Sequence, residues 1–114
     1  MKGSRKRVTG MDEFKEIAVE EARKMLDSGK AFFVDVRDPA SYEAAHVPGA
    51  LALNDANIGE FVTKTDKAKP IVVYCYHGHT SQGAAAYLLD QGFQEVYSVI
   101  GGFERWRQTE KIES

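Results

Sequence analysis

One thiol, two imidazoles, a phenol and two aliphatic hydroxyls fall within the run Cys75, Tyr76, His77, Gly78, His79, Thr80, Ser81. Three kinds of chemistry use such a set. The first is metal binding, since Cys75, His77 and His79 stand at i, i+2 and i+4, and zinc accepts thiolate and imidazole. No second cysteine or further ligand pair accompanies them, and a loop curled around the cysteine would have to open to present all three. No metal is therefore expected, and the two histidines read as loop side chains that add positive charge near Cys75 when protonated. The third histidine, His46, stands beside Pro48 and Gly49 and reads as structural. The second chemistry is phosphoryl transfer, in which an Arg six residues after the Cys clamps phosphate bidentately. Position 81 is Ser, and no Arg or Lys lies between Cys75 and Gly92. The third is attack by the Cys75 thiolate itself, with backbone N–H groups as the main anion holders.

A free cysteine is more often a small buried hydrophobe than a nucleophile, so its surroundings decide. Residues 71–75, IVVYC, are almost wholly apolar, the pattern of a strand covered on both faces in a parallel sheet. Cys75 ends that strand, a short loop follows, and residues 81–91 form a helix with Ala84, Ala85, Leu88 and Leu89 inward and Gly92 as its stop. Sites in open parallel sheets form beyond the carboxyl ends of strands. The helix N-terminus returns to that place with unpaired N–H groups and the positive end of its dipole. A cysteine held there has a lowered pKa and becomes nucleophilic near neutral pH. Gly78 lets the loop backbone curve, and Thr80 and Ser81 can cap the helix or donate hydroxyls to an anion.

The rest of the chain supplies the frame. Residues 17–28 read as a helix with Ala18, Ala22, Met25 and Leu26 at helical spacing and Gly29 as its stop. Residues 31–36, AFFVDV, read as a strand. Asp38 and Pro39 break it and open a short helix over 39–45. Residues 50–53 are a strand candidate, 57–64 a helix with Asn57 as N-cap, 96–99 another strand, and 103–109 a last helix with Trp106 half buried. Strands alternating with helices imply a parallel sheet with helices on both faces. Asp35 and Arg37 end the 31–36 strand on one face and read as a structural ion pair organising the loops.

Composition sets the outer limits. A chain of 114 residues, 43% hydrophobic and 28% charged with net charge −2, suits one domain. Leu, Ile, Val and Phe suffice for a modest core, and no apolar run is long enough to span a membrane. The first ten residues carry Lys2, Arg5, Lys6 and Arg7 and no acid, which leaves 11–114 with a balance of −6. An acidic domain has no general attraction for nucleic acid. Residues 1–10 are read as a basic flexible tail, a possible leftover of recombinant expression with Met11 as the natural start, and 11–114 as the domain. A nucleic-acid arm or a targeting signal is the competing reading of that tail. A single cysteine forms no internal disulfide, so a reducing, cytoplasmic setting is expected.

Three segments together resemble the rhodanese domain: VDVRDPASYEAAHVPGA (34–50), IVVYCYHGHTSQGAAAYLLDQGF (71–93) and VYSVIGGFERW (96–106). They come in the family's order and spacing and cover roughly residues 14–108. Within the family the chain is most similar to single-domain thiosulfate sulfurtransferases, whose active loop has the Cys-Tyr-His-Gly pattern. The resemblance implies a three-layer α/β fold around a five-stranded, mainly parallel sheet. It implies that Cys75 accepts a sulfane sulfur and becomes a persulfide. The six residues from Cys75 to Thr80 match the loop length of sulfurtransferases, where the related phosphatases have one more. Two departures stand out: Ala45 replaces the usual Gly before the early His, and the active loop has no basic residue, as in the single-domain type.

The expected reaction is two-step. The thiolate takes the outer sulfur of thiosulfate and releases sulfite. The persulfide rests against N–H groups of residues 76–80. Cyanide, or a dithiol protein such as a thioredoxin, then removes the sulfur. No cofactor, nucleic acid or membrane takes part. The alternative within the same chemistry is a sulfur carrier loaded by a partner protein. Phosphatase or arsenate-reductase chemistry is disfavoured by the short loop and missing Arg. A non-catalytic binding module is disfavoured by retention of the Cys.

Overall fold

The computed structural model describes residues 14–114. The basic segment 1–10 lies outside them. Ten elements follow in chain order: β1 (Lys15–Ile17), α1 (Val19–Ser28), β2 (Phe32–Asp35), α2 (Pro39–Ala44), β3 (Leu51–Ala52), α3 (Ile58–Lys64), β4 (Ile71–Tyr74), α4 (Thr80–Asp90), β5 (Val96–Val99) and α5 (Gly102–Thr109). The five strands lie in the order β1-β5-β4-β2-β3, and every pairing among them is parallel.

The strand pattern dictates the layers. β4 is buried at all four positions and pairs with β2 on one side and β5 on the other. Its side chains alternate between two cores, because successive residues of a strand point to opposite faces. Val72 and Tyr74 join Val19, Ala22, Phe33, Val99, Phe103 and Trp106 under α1 and α5. Ile71 and Val73 join Val34, Phe61, Ala85, Leu88, Phe93 and Val96 under α3 and α4. Helices thus cover both faces, and the three layers are those that the alternation of elements implied.

The sheet order also fixes where a site can form. From β2 the chain moves outward to β3, then returns to the other side of β2 with β4 and moves outward again to β5. The reversal lies between β2 and β4. Their following helices leave toward opposite faces, since Tyr42 and Ala45 pack in the α1/α5 core and Ala85 in the α3/α4 core. Loops that diverge in this way leave a crevice at the carboxyl ends of the two strands. Val36–Asp38 and Cys75–His79 are those loops.

Several local readings are corrected. β1 falls where the sequence reads the start of a helix: Ile17 pairs with Val99, and α1 begins only at Val19 after an extended Ala18. Trp106 is not half buried but 1% exposed, because its ring meets Phe33 edge-on and its indole N–H donates to Lys111 O. Asn57 stands at the N-cap of α3 without a capping bond. Its side chain ties the preceding turn instead, accepting from Asn54 N–H and donating to Ala52 O. The 50–53 strand shortens to Leu51–Ala52, and β4 ends at Tyr74, one residue before the cysteine. Asp38 and Pro39 open α2 as read, with the Asp38 carboxylate accepting from Ser41 N–H.

Candidate active site

β4 delivers Cys75 to the crevice, and the chain then curls back on it. Gly78 adopts φ +93, a conformation that side chains resist, and its N–H donates to Cys75 Sγ at 3.1 Å. The Ser81 hydroxyl lies 3.4 Å from the same sulfur. Gln82 Nε2 donates to Gly78 O at 2.8 Å, which holds the curl closed. His79 occupies the N-cap position of α4 with no side-chain cap; Gln82 N–H donates to His79 O, and the Ser81 N–H acts on the Cys75 sulfur.

The sulfur is buried, at 4% residue exposure, and burial by itself pushes a thiol pKa upward. The Ser81 hydroxyl and the N–H groups of Ser81, Gly78 and His77 outweigh that burial and hold Cys75 below the usual thiol value. The loop therefore favours a thiolate without a cationic side chain against it.

A second layer of contacts fixes the curl from below. At its N-terminus α5 donates Phe103 N–H to Cys75 O at 2.8 Å and Glu104 N–H to Tyr76 O at 3.0 Å. A Cβ on Gly102 (φ +60) would stand 2.5 Å from Cys75 O, and one on Gly78 would stand 3.0 Å from Gly101 N. The two backbones touch here, and only glycine permits it. On β5, Ser98 is fully buried with its hydroxyl 2.8 Å from that of Ser81. The sequence reading identifies the loop but assigns no part in the site to Ser98, Gly101 or Gly102. Their contribution depends on β5 lying beside β4, which no local motif announces.

Across the crevice, Arg37 closes on Asp35. Asp35 accepts from the Arg37 backbone N–H at 2.8 Å and from its guanidinium, with Nη2 at 2.7 Å, and both side chains are buried. Nη2 also donates to Ala45 O, and the guanidinium lies 4.1 Å from the Phe103 ring centroid. The pair thus ties β2, the end of α2 and α5 together.

Of the remaining loop residues, Tyr76, His77, His79 and Thr80 are exposed around the buried sulfur. Thr80 begins α4 but does not occupy its cap position. His77 stands close enough to Glu104 to help hold that carboxyl below its ordinary range, after the dominant hydrogen bond from Arg107. An open groove of about 380 Å³ runs beside Tyr76, lined also by Arg37, Ser41, Phe103, Arg107 and Ile112. His46 is apart from the site: it stacks on Tyr42 and contacts Tyr42 O through Nδ1. Among the described residues no group of three or more His, Cys, Asp or Glu side chains is placed to hold a metal. Among them, too, no helix is long and apolar enough to cross a membrane.

Comparison with known proteins bears directly on this geometry. The model of the rhodanese-like domain matches residues 18–109. The thiosulfate sulfurtransferase GlpE of Pseudomonas syringae pv. syringae is 52% identical over 99 residues, 87% of this chain and 92% of that protein. The thiosulfate sulfurtransferase GlpE of Pseudoalteromonas translucida is 46% identical over 102 residues, 88% of this chain and 97% of that protein. A crystal structure of an Anabaena protein superposes with a TM-score of 0.78 at 24% identity, covering 86% of this chain and 91% of that one.

Proposed function

Since this chain belongs to the rhodanese-like domain family, we infer that it is a thiosulfate sulfurtransferase in which Cys75 carries the sulfur. The observation that carries the reading is the Cys75 sulfur itself. It is buried, ringed by N–H groups and a hydroxyl, and favoured as a thiolate with no cationic side chain bonded to it among the described residues.

Cys75 Sγ attacks the outer sulfur of thiosulfate. A new S–S bond forms, the bond to the inner sulfur breaks, and sulfite leaves with the electron pair. The outer sulfur of the persulfide then lies where the loop N–H groups and the α4 N-terminus stabilise negative charge. Cyanide attacks that sulfur, thiocyanate leaves, and the Cys75 thiolate returns. A dithiol protein such as a thioredoxin serves as the biological acceptor by the same attack. The cysteine carries the transferred group, so the cycle needs no cofactor. Tyr76, His77, His79 and Thr80 border the approach, while Gly78 and Ser81 hold the sulfur. Asp35 and Arg37 support the crevice without entering the reaction. The lone thiol suits a reducing, cytoplasmic setting.

Initial rates of thiocyanate formation, with thiosulfate and cyanide both varied, test the reading. Parallel double-reciprocal lines are expected, because the first product leaves before the second substrate reacts. Intersecting lines would mean that both substrates bind before any transfer and that no free persulfide forms.

A further inference from the structure

Two hydroxyls stand in series behind the Cys75 sulfur, and only the first touches it. Ser81 Oγ is 3.4 Å from Sγ, and Ser98 Oγ is 2.8 Å from Ser81 Oγ. Both serines are buried, at 0% and 1% exposure. Ser98 shares a face of β5 with Val96, the face covered by α4, so it lies beneath the first turn of that helix. A serine in a helix can instead bond its own backbone. Something must turn the Ser81 hydroxyl outward from α4 and toward the sulfur.

We propose that Ser98 is a positioning residue for sulfur transfer: its hydroxyl, anchored on β5, aims the Ser81 hydroxyl at the Cys75 sulfur and strengthens its donation. Each hydroxyl has one proton to give. When the sulfur is a thiolate, Ser81 donates to it, and the Ser81 oxygen is free to accept from Ser98. Ser98 makes no other side-chain hydrogen bond among the described residues, so its proton goes to Ser81. Donation from behind makes Ser81 a stronger donor in front. The effect serves both halves of the cycle, since Cys75 attacks as a thiolate and is expelled as one. Besides Cys75, the titratable side chains on the loop and on α5 beside it are Tyr76, His77, His79, Glu104, Arg105 and Arg107. None of them is a hydrogen-bond partner of Sγ among the described residues. The hydroxyl pair therefore has no charged competitor bonded to the sulfur.

The inference deepens the sulfurtransferase reading, but its test needs no sulfur donor. The rate of Cys75 alkylation by iodoacetamide is followed against pH for the wild type, Ser98→Thr, Ser98→Val and Ser98→Ala, with thermal melting to establish folding. Thr and Val have nearly the same shape and differ in the hydroxyl. Ser98→Val and Ser98→Ala should move the alkylation midpoint to higher pH and slow the reaction about threefold at neutral pH, while Ser98→Thr keeps the wild-type profile. In a Ser81→Ala background the Ser98 changes should add nothing. Equal profiles for Thr and Val, an unshifted Ser98→Ala, or the same shift with Ser81 absent would each overturn the proposal. So would a Thr variant that folds while no variant lacking the hydroxyl does, because the hydroxyl would then be structural.

Discussion

Two neighbouring loops leave the carboxyl end of the sheet, and each surrounds an acidic group. After β2, the Asp35 carboxylate receives the Arg37 backbone N–H and guanidinium. After β4, the Cys75 sulfur receives the Gly78 N–H and lies 3.4 Å from the Ser81 hydroxyl, which donates to it when it is a thiolate. The first anion has a built-in cation at 2.7 Å, sealed by Phe103 and Ala45 O. Among the described residues the second has only dipoles. A buried charge matched by an opposite charge is held firmly and does nothing further. An anion held by dipoles keeps its nucleophilic electron pair and releases no partner when it reacts. On the proposed sulfur transfer, the difference separates scaffold from chemistry across one crevice.

The largest expected effect lies on the reactive side. Cys75→Ala should reduce thiocyanate formation on the order of 10⁴-fold or more, the scale seen when an activated nucleophile is removed. Melting should show a folded protein. On the scaffold side the order reverses. Arg37→Met leaves Asp35 buried and unpaired and should destabilise the fold by about 3–5 kcal/mol in urea unfolding. Replacing Asp35 with Asn in the same chain should recover part of that loss. If Arg37→Met instead left stability intact and selectively abolished turnover, the division between the loops would be wrong.

Gly102→Ala probes the seam between the loops. Its φ of +60 alone costs about 1–3 kcal/mol for a side chain, and the new Cβ would press on Cys75 O and Tyr76 O. Lower melting temperature together with slower turnover is expected, because the push lands on the reactive curl. Slower turnover at unchanged stability would mean that the curl moves freely on α5.

The smallest effect is in pH. Cys75 is held below the usual thiol value, so its thiolate fraction should rise with pH and level off earlier than for an ordinary cysteine. Below that midpoint, sulfur loading should fall as protons return to the sulfur. A thiol-alkylation profile indistinguishable from that of a free cysteine in a peptide would show that burial cancels the donors.

Much of this contrast could be read from the residues. IVVYC before a glycine-bearing loop and an alanine-rich helix puts Cys75 at the carboxyl end of β4, because that succession is local and strongly patterned. The spacing of Asp35 and Arg37 suggested their pairing for the same reason. What escaped depends on neighbours in space. β1 is only Lys15–Ile17, mostly exposed, and takes its form from pairing with β5 rather than from its own pattern. Ser98 sits in a strand whose hydroxyl matters only because α4 crosses it. Trp106 occupies a helix with a polar composition, and its burial follows from packing on Phe33.

Intact-protein mass spectrometry after thiosulfate treatment tests the central claim most directly, with Cys75→Ala as control. A gain of one sulfur atom, removed by cyanide and missing in the variant, is the expected result. An unchanged mass at saturating thiosulfate, or an equal gain in Cys75→Ala, would contradict the assignment of Cys75 as the sulfur carrier.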